Sequence, residues 1–431
     1  MPNATRTRWG WDRLTVLAVV MALGGCAGAN PGSRAVPHVL APQGRAASDA
    51  ATGTPGESAT GLPGESATGL PGESATGLPG ESATGLPGES ATGLPGANFA
   101  CTGVPQSGSA NCTAAINLNV APTADPKTPV VAIPGLHPAD LQSAYALPVQ
   151  NSGGTVAIVD AYDDPTAEAD LGVYRAAFGL PPCTTDNGCF RKVNQRGQAG
   201  ANPAPDAGWS TEIALDLAMV SAGCPTCSIV LVEANSALMD DLGAAVDTAA
   251  SLGANAVSNS YYAVEWSGES TEDVHYHHAG VAMTASSGDR GYPSYPAASR
   301  FVTSVGGTSL ARGSGGWSEK AWAYTGHGCS AFVARPSWQR GSACKNRSAV
   351  DVAAVADPQT GVAIFSTQNG GWVVAGGTSV GAPLVAAAYA LSHRPAGPEY
   401  SYEHPSAFNA VGASGYQAVT GLGSPNGVGG L

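Results

Sequence analysis

The chain has 431 residues, of which 43% are hydrophobic and 12% are charged, and its formal net charge is −13. This length and apolar content allow one large globular domain or two smaller ones, and they exclude a chain that is disordered throughout. The acidic balance, with no basic stripe to offset it, argues against nucleic acid as the main partner.

The first residues have the pattern of an export signal. Three arginines precede an apolar run from Leu14 to Leu23, which is about half the roughly 20 residues needed to cross a bilayer. The run ends in Leu-Gly-Gly-Cys26, which resembles the lipobox of bacterial lipoproteins. We therefore predict a lipoprotein signal peptide over residues 1–26, with a lipid on Cys26 as the membrane contact. An ordinary signal peptide, cut near Ala27 or Ala29, is the alternative.

A repeated segment follows the export signal. The octapeptide GESATGLP occurs five times without substitution from Gly56 to Pro95. Each unit has a single Leu, so no unit can bury a hydrophobic face. Residues 27–98 are therefore predicted to form a disordered tether, and residues 99–431 the folded domain.

The protein is expected outside the cytoplasm, at the membrane or cell surface, with release by cleavage of the tether as an alternative.

The cysteines indicate an oxidising compartment. Apart from Cys26, eight cysteines form four pairs of close neighbours: Cys101 with Cys112, Cys183 with Cys189, Cys224 with Cys227, and Cys329 with Cys344. Pairing between neighbours is the simplest arrangement. The C-x-x-C spacing at 224–227 also fits a metal knuckle or a redox dithiol, but the chain has no second C-x-x-C, which favours a small structural disulfide.

Strand-like runs alternate with helical stretches from about Pro129 onward. Strands are predicted at 155–162, 228–234, 255–262, 280–287 and 301–307, and helices at 167–178, 211–221 and 237–252. This alternation predicts an α/β domain with a parallel sheet flanked by helices. Ligands of such sheets bind at the carboxyl ends of the strands.

The segment from Trp372 to Arg394 contains a candidate nucleophile. A strand leads into a Gly-Gly-Thr-Ser turn that ends at Ser379, and an apolar helix follows from about Pro383. Glycines permit a tight turn that exposes the serine near the positive end of the helix. The alternative is a serine that only caps the helix.

A serine hydroxyl needs a base, and the histidines do not supply an obvious one. His275, His277 and His278 crowd into one turn, but no carboxylate or cysteine recurs nearby at ligand spacing. A solvated helix face is therefore favoured there over a metal site. A triad of subtilisin type, with Asp160 as its acid, lacks its histidine.

Two acids on one apolar helix provide a different base. Glu212 and Asp216 are four residues apart in WSTEIALDLAMV, so their side chains lie on the same helix face. Two like charges at this spacing repel each other unless the pair shares a proton. A shared proton leaves one carboxylate able to act as a base. A polar stripe that faces water is the alternative.

A third acid follows a predicted strand. Asp289 lies in TASSGDRGY, on a glycine-rich turn. When protonated, such a carboxyl can donate a hydrogen bond to a developing oxyanion. An Asx-turn is the alternative.

Together these segments resemble the sedolisins, the serine-carboxyl peptidases with a subtilisin-like fold. The match extends over roughly residues 136–425 and includes TVAIVDAYDDP, the Glu-x-x-x-Asp helix, VSNSYY, SSGD, YPAASRFVTSVGGTSL, GGTSVGAP and TGLGSP. The resemblance implies a subtilisin-like parallel sheet in a single catalytic domain. It also implies that Ser379 is the nucleophile, Glu212 the general base, Asp216 its partner and Asp289 the oxyanion-hole carboxyl.

The chain departs from the family pattern in four places. No large prosegment fits before the domain. Ala410 and Gln417 stand at the positions of two calcium-binding aspartates, so no cofactor is assigned. Arg290 replaces a small residue beside Asp289, where a cation favours the ionised carboxyl. Tyr262 replaces a glycine and is expected to reshape the substrate groove.

These observations favour a monomeric endopeptidase that cleaves proteins or peptides at acidic pH, because ionisation of Asp289 removes the oxyanion donor. Two alternatives remain open. One is an exopeptidase of tripeptidyl type, which needs a blocked groove. The other is a catalytically silent surface lipoprotein that uses the same fold as a binding scaffold.

Overall fold

The computed structural model describes residues 93–394 and 397–431. The predicted signal peptide, Cys26 and the predicted tether up to residue 92 lie outside the described residues.

The strands, in chain order, are β1 (Ala97–Phe99), β2 (Asn111–Cys112), β3 (Ala115–Asn117), β4 (Thr155–Ala161), β5 (Phe190–Asn194), β6 (Ser228–Ala234), β7 (Ala256–Asn259), β8 (Tyr261–Val264), β9 (Ala282–Ser286), β10 (Ser294–Tyr295), β11 (Val302–Gly313), β12 (Gly316–Ala321), β13 (Cys329–Ala334), β14 (Asn346–Ser348), β15 (Val352–Val355), β16 (Val362–Ser366), β17 (Gly371–Gly376), β18 (Phe408–Asn409) and β19 (Ser424–Pro425). The helices are α1 (Pro138–Ala144), α2 (Ala167–Ala177), α3 (Ala207–Gly223), α4 (Met239–Ser251), α5 (Gly381–Ser392) and α6 (Pro398–Glu403).

An eight-stranded sheet forms the centre of the domain. Its strand order is β12-β11-β9-β7-β4-β6-β5, and β15 also pairs with β11. All of these pairs are parallel except that of β11 with β12. The predicted α/β class with a mainly parallel sheet is therefore confirmed. Parallel neighbouring strands need a crossover connection, and the helices between the strands provide it.

The sheet separates two hydrophobic cores because successive strand residues point to opposite faces. On β4, Val156 and Ile158 pack in the core that contains residues of α3 and α5. The next residues along, Ala157 and Val159, pack in the core that contains residues of α4. Helices thus cover both faces of the sheet, which is why its strands are apolar throughout.

The predicted strand at 255–262 is two strands. β7 belongs to the central sheet and ends at Asn259, whereas β8 begins at Tyr261 and pairs with β10 and β2 in a separate sheet. The apolar run continues through both strands, so periodicity alone did not show the change of partner at Ser260. The change leaves Ser260 at the carboxyl end of a central strand.

The described residues include a few that precede the predicted domain boundary at residue 99. Leu94, from the last repeat, is buried with Ala97, Ala115 and Trp322 in a small third core. β1 then pairs with β3. The composition of the repeat gave no sign that its final leucine has an apolar partner elsewhere in the chain.

Four disulfides join Cys101 to Cys112, Cys183 to Cys189, Cys224 to Cys227, and Cys329 to Cys344. The predicted pairing between neighbours is therefore confirmed.

In residues 93–394 and 397–431, none of the helices combines the length and the apolar character that a membrane crossing requires.

Candidate active site

Ser379 lies in a turn between β17 and α5. Gly377 has a φ of 98°, and a short 3-10 turn over Thr378–Val380 leads into the helix. A Cβ atom on Gly377 would overlap the carbonyl oxygen of Thr113 and lie 2.8 Å from Oδ2 of Asp289, so both the backbone angle and the space require glycine. The N-cap of α5 is Val380 rather than Ser379, which contradicts the interpretation of Ser379 as the helix cap.

The helix that carries the two acids is buried on all sides. Asp206 caps α3 by accepting hydrogen bonds from the amides of Gly208 and Trp209. The helix then packs between α2, α5, β4 and β16. Glu212 and Asp216 are both completely buried. A polar stripe that faces water is therefore wrong, because tertiary packing covers the face on which the two acids lie.

Glu212 receives two backbone amides and sits beside Ser379. Its Oε2 accepts hydrogen bonds from the amide of Thr113 at 2.8 Å and the amide of Ala114 at 2.7 Å. Burial raises the pKa of Glu212 to about 8, against the opposing effect of hydrogen bonds from Ser379 and the two amides. Because burial is the largest cause, the pKa of Glu212 falls whenever water reaches the carboxyl.

Asp216 completes the pair with Glu212. Burial raises the pKa of Asp216 well above its usual range, and the nearby charge of Glu212 raises it further. Asp160, at the end of β4, is buried next to this pair. Burial and the charges of Asp216 and Glu212 raise the pKa of Asp160 as well. The acids therefore form one buried cluster in which ionisation of one carboxyl opposes ionisation of the others.

Asp289 is held against the turn that carries the serine. Its Oδ1 accepts hydrogen bonds from the amide of Thr378 at 2.9 Å and from the hydroxyl of Thr378 at 2.7 Å. These bonds to a distant segment replace the local Asx-turn that was the alternative. Burial raises the pKa of Asp289 to about 7, although Thr378 and, to a smaller extent, Arg290 lower it. The guanidinium carbon of Arg290 lies 4.4 Å from the centre of the Phe99 ring, so the charge of Arg290 makes a cation–π contact with that ring.

The structure brings all four predicted residues to one place. The Ser379 hydroxyl makes a short hydrogen bond with the hydroxyl of Thr113 and lies 3.5 Å from the carbonyl oxygen of Ser260. The carbonyl oxygen of Thr113 and Oδ2 of Asp289 both lie beside Gly377. A neutral carboxyl at Asp289 would be placed to donate to an oxygen in this position, and Glu212 is within hydrogen-bond distance of both the serine and the amide nitrogen of Ala114.

Sequence reasoning missed Thr113 and the segment that contains it. The only hint available was the neighbouring cysteine pair at 101 and 112, which indicated a closed loop but not its location. Tyr262, singled out as a departure in the substrate groove, is buried and pairs with Asn111 in the β2·β8 ladder.

The histidine cluster lies outside this site. Nδ1 of His275 and Nε2 of His278 contact the two carboxylate oxygens of Asp247 at 2.8 and 3.0 Å. The cluster lies at the surface as expected, with His277 exposed and the rings of His275 and His278 partly exposed beside an acid on α4. No group of three or more potential metal ligands occurs within residues 93–394 or 397–431.

Ala410 and Gln417, which the resemblance aligns with the family's calcium ligands, lack the carboxylates of that site. Ala410 has no side-chain oxygen. The backbone of Gln417 exchanges two hydrogen bonds with Gly421, both 2.7 Å long. Neither residue supplies a carboxylate, the ligand type that Ca²⁺ favours.

Comparison with known proteins connects this geometry to one group. No protein-family model matches the chain. Kumamolisin of Bacillus sp. (strain MN-32) is 32% identical over an alignment that covers 35% of this chain and 35% of that protein. The aligned region thus spans about a third of the length of that curated relative.

A solved structure supports the same relationship at the level of fold. It is described as Pseudomonas sedolisin, a serine-carboxyl proteinase, complexed with two molecules of pseudo-iodotyrostatin. The match has a TM-score of 0.56 at 21% identity and covers 68% of this chain and 96% of that one. This chain is therefore similar to kumamolisin over part of its sequence and to a sedolisin in its fold, which is the subtilisin-like α/β fold.

Proposed function

We propose that this protein is a serine-type endopeptidase that hydrolyses protein or peptide substrates at acidic pH through Ser379, Glu212, Asp216 and Asp289. One observation carries the proposal. The carboxyl of Glu212 lies within hydrogen-bond distance of a peptide nitrogen, that of Ala114, at the place where the Ser379 hydroxyl also lies. A general base that later serves as a general acid must reach both atoms.

In the proposed reaction, Ser379 Oγ attacks the substrate carbonyl carbon while Glu212 takes the hydroxyl proton. Asp289, in its neutral form, donates a hydrogen bond to the oxyanion. Glu212 then passes its proton to the leaving nitrogen, and the peptide bond breaks to leave an ester on Ser379. Water hydrolyses this ester with Glu212 again as the base. Asp216 shares a proton with Glu212 and so keeps the base oriented.

The pH dependence follows from the state of each carboxyl. The donor at Asp289 is present below its pKa of about 7 and is replaced by a repulsive negative charge above it. The base requires that the Glu212–Asp216 pair has lost one proton. The pKa of Glu212 is about 8 while the carboxyl is fully buried, so the proposal requires this pKa to fall below that of Asp289 when water enters the open groove, because burial is the largest cause of the shift. We therefore expect a bell-shaped profile whose falling limb belongs to Asp289.

We further propose that the enzyme is monomeric and acts outside the cytoplasm, anchored by a lipid on Cys26. The four disulfides support an oxidising compartment. Expression of the full chain and of Cys26→Ser, followed by phase partitioning and mass spectrometry, tests the anchor. The wild type should enter the detergent phase with an acyl mass that the variant lacks.

The catalytic proposal is tested by incubating the full chain with a mixed peptide library at pH 3, 5 and 7, beside Ser379→Ala. Cleavage within peptides that disappears in the variant, together with labelling of Ser379 by a serine-reactive probe at low pH, is the expected result. Removal of tripeptides from the N-terminus would indicate an exopeptidase instead. If neither chain cleaves any peptide or reacts with the probe, the silent scaffold is correct.

A further inference from the structure

Arg290 follows Asp289 directly in the chain but makes no ion pair with it. In residues 93–394 and 397–431, no ion pair joins the guanidinium of Arg290 to any carboxylate. Asp289 is buried, and its Oδ2 has no hydrogen-bond partner among the described residues. A cation and a buried acid this close in sequence attract each other. Other contacts must therefore hold the guanidinium in its position.

Two aromatic side chains from different strands make those contacts. Phe99, on β1, lies under the guanidinium, whose central carbon is 4.4 Å from the ring centre. Burial raises the pKa of Tyr262, on β8, while the nearby Tyr292 raises it further and a hydrogen bond from Arg290 opposes the rise. A planar guanidinium can place its face on one ring and donate from its edge to a second group. Arg290 therefore satisfies its charge and a donor without a carboxylate.

Packing that does not involve Arg290 fixes both aromatic side chains. Phe99 pairs with Ala115 in the β1–β3 ladder and packs against the small third core. Tyr262 is buried and pairs with Asn111 in the β2–β8 ladder. The Tyr262 ring also packs against Gly288, where an added Cβ would lie 3.5 Å from two of the ring carbons. The two rings thus form a fixed seat for the guanidinium.

The groups around Asp289 make the position of this one cation important. Burial raises the pKa of Asp289, while the two hydrogen bonds from Thr378 and then the charge of Arg290 lower it. Glu212, on α3, and Tyr262, on β8, also face Asp289, and after burial its charge contributes to the raised pKa of each. A negative neighbour opposes ionisation of Asp289, whereas an approaching arginine favours it. The distance of Arg290 therefore affects how readily Asp289 loses its proton.

We propose that Phe99 and Tyr262 are positioning residues, which hold the charge of Arg290 away from Asp289 and so set the pH at which the oxyanion donor is lost. This inference rests on the proposed peptidase function for the role of Asp289. It adds two residues that act on Asp289 through Arg290. A guanidinium released from its seat is free to move towards the unpartnered Oδ2, where it favours the ionised carboxyl. The enzyme then loses its donor at a lower pH.

The test measures the midpoint of the falling limb of kcat/KM for a cleaved peptide, with the full chain between pH 4 and pH 9. The wild-type midpoint should lie near pH 7. Phe99→Leu keeps an apolar side chain but removes the aromatic face. Its midpoint should fall by about one pH unit or more, because a nearby arginine lowers the pKa of an aspartate by about 1 to 3. Phe99→Tyr, which keeps the ring, should restore the wild-type midpoint.

Tyr262→Phe provides a second variant that keeps the packing of the ring. It removes only the hydroxyl that accepts from Arg290, so the midpoint should shift in the same direction as in Phe99→Leu. Circular dichroism of each variant checks the fold. Tyr262→Phe carries the test where Phe99→Leu does not fold, and an unchanged midpoint in a folded Tyr262→Phe would then overturn the inference.

A double-mutant cycle separates the effect of the charge from a loss of packing. Arg290→Ser removes the charge and should raise the midpoint slightly, because Arg290 is the smallest cause of a lowered pKa at Asp289. Phe99→Leu/Arg290→Ser should have the same midpoint as Arg290→Ser. If Phe99→Leu acted by admitting water to Asp289, the double variant would keep the downward shift, and the inference would be wrong.

The chain offers a matched control. The Phe301 ring centre lies 5.5 Å from the guanidinium carbon of Arg300, which is a second phenylalanine–arginine pair. Arg300 is not among the causes that shift the pKa of Asp289. Phe301→Leu should therefore keep the wild-type midpoint. An equal shift in Phe301→Leu and Phe99→Leu would overturn the inference.

A titration that does not need catalysis separates this inference from the proposed function. Carbon-13 NMR follows the Asp289 carboxyl in the full-length Ser379→Ala chain, with the signal assigned by its absence in Ser379→Ala/Asp289→Asn. Phe99→Leu in this background should lower the titration midpoint as in the kinetic profile. Peptide hydrolysis together with a carboxyl titration that Phe99→Leu leaves unchanged would refute the positioning role and retain the peptidase function. A shifted titration without hydrolysis of any peptide by the wild type would retain the positioning role and refute the function.

Discussion

Asp289 shows how burial can turn an acid into a hydrogen-bond donor. The side chain is 1% exposed, and Thr378 occupies one of its oxygens. The other oxygen, Oδ2, lies beside Gly377, as does the carbonyl oxygen of Thr113. A carboxyl with a pKa of about 7 is almost fully protonated at acidic pH, so it can donate a hydrogen bond from this oxygen.

The first prediction concerns Asp289→Asn. An amide can donate a hydrogen bond at every pH, so this variant should lose the fall in kcat/KM that the wild type shows as pH rises through about 7. Asp289→Ala, which has no donor, should lower kcat by about 10²- to 10³-fold at the optimum. A pH–rate profile of each variant measures this. A falling limb that is unchanged in Asp289→Asn would assign that limb to another group.

The second prediction concerns the base. Glu212→Gln preserves the shape of the side chain but cannot accept the serine proton, so kcat should fall by about 10²- to 10⁴-fold with a much smaller change in KM. Glu319→Gln is the matched control. Glu319 is partly buried, and it accepts hydrogen bonds from Tyr145, Thr308 and Ser424 rather than from groups near Ser379. Steady-state kinetics should show near wild-type kcat for this control, and an equal loss in both variants would contradict the role of Glu212.

At the scale of elements, a buried ion pair ties the C-terminal segment to the sheet. Arg347 and Asp351 are both fully buried and make two contacts, of 2.9 and 2.5 Å, between β14 and β15. Asp351 also accepts hydrogen bonds from the amide of Ser304 and the hydroxyl of Tyr402. The carbonyl oxygen of Asp351 accepts a hydrogen bond from the amide of Leu422. Leu422 lies beside the segment that the resemblance aligns with the family's calcium site.

We propose that this network, rather than calcium, stabilises the region, and the third prediction follows. Addition of Ca²⁺ or a chelator should leave the melting temperature of the wild type unchanged. Asp351→Ala should lower the free energy of unfolding by about 3–5 kcal/mol, because it leaves a buried guanidinium without its partner. Calorimetry and denaturant titration measure both effects. A chelator-induced decrease in the melting temperature would restore the calcium assignment.

At the scale of the whole molecule, buried acids make the fold depend on pH. Burial is the largest cause of the raised pKa of Asp160, Glu212, Asp216, Glu233 and Asp289. In the unfolded chain, Glu212, Glu233 and Asp289 release their protons near pH 4, the ordinary range for these acids, whereas in the folded chain they retain them to about pH 7 or 8. The unfolded state therefore binds fewer protons between these limits, and stability decreases as pH rises.

The fourth prediction is a melting temperature that is higher near pH 4 than near pH 8. Glu212→Gln/Asp216→Asn removes two of the acids that must lose protons in the folded state, so this variant should show a flatter dependence of melting temperature on pH. Differential scanning calorimetry from pH 4 to pH 8 measures the slope. A wild type that is more stable at pH 8 would show that these acids are ionised and compensated in the folded chain.

Much of the fold could be predicted from local sequence. Apolar runs of strand length between helical stretches predicted β4, β6 and β9 and the helices α2 and α4, because burial on both faces of a parallel sheet produces that pattern. In any α-helix, side chains four residues apart lie on the same face, so the spacing of Glu212 and Asp216 alone predicted that they are neighbours. Neighbouring cysteines paired as expected, since short loops cost little entropy to close.

Tertiary structure alone determined what covers those residues. The sequence of α3 is compatible with a face exposed to water, and only packing against α2 and α5 made both of its acids buried and raised their pKa values. The position of Thr113 beside Ser379 depends on strand pairings across 266 residues of chain, and no local pattern encodes such a pairing. Chemistry at this site therefore depends on long-range contacts, whereas the elements that carry the reacting groups depend on residues close together in the chain.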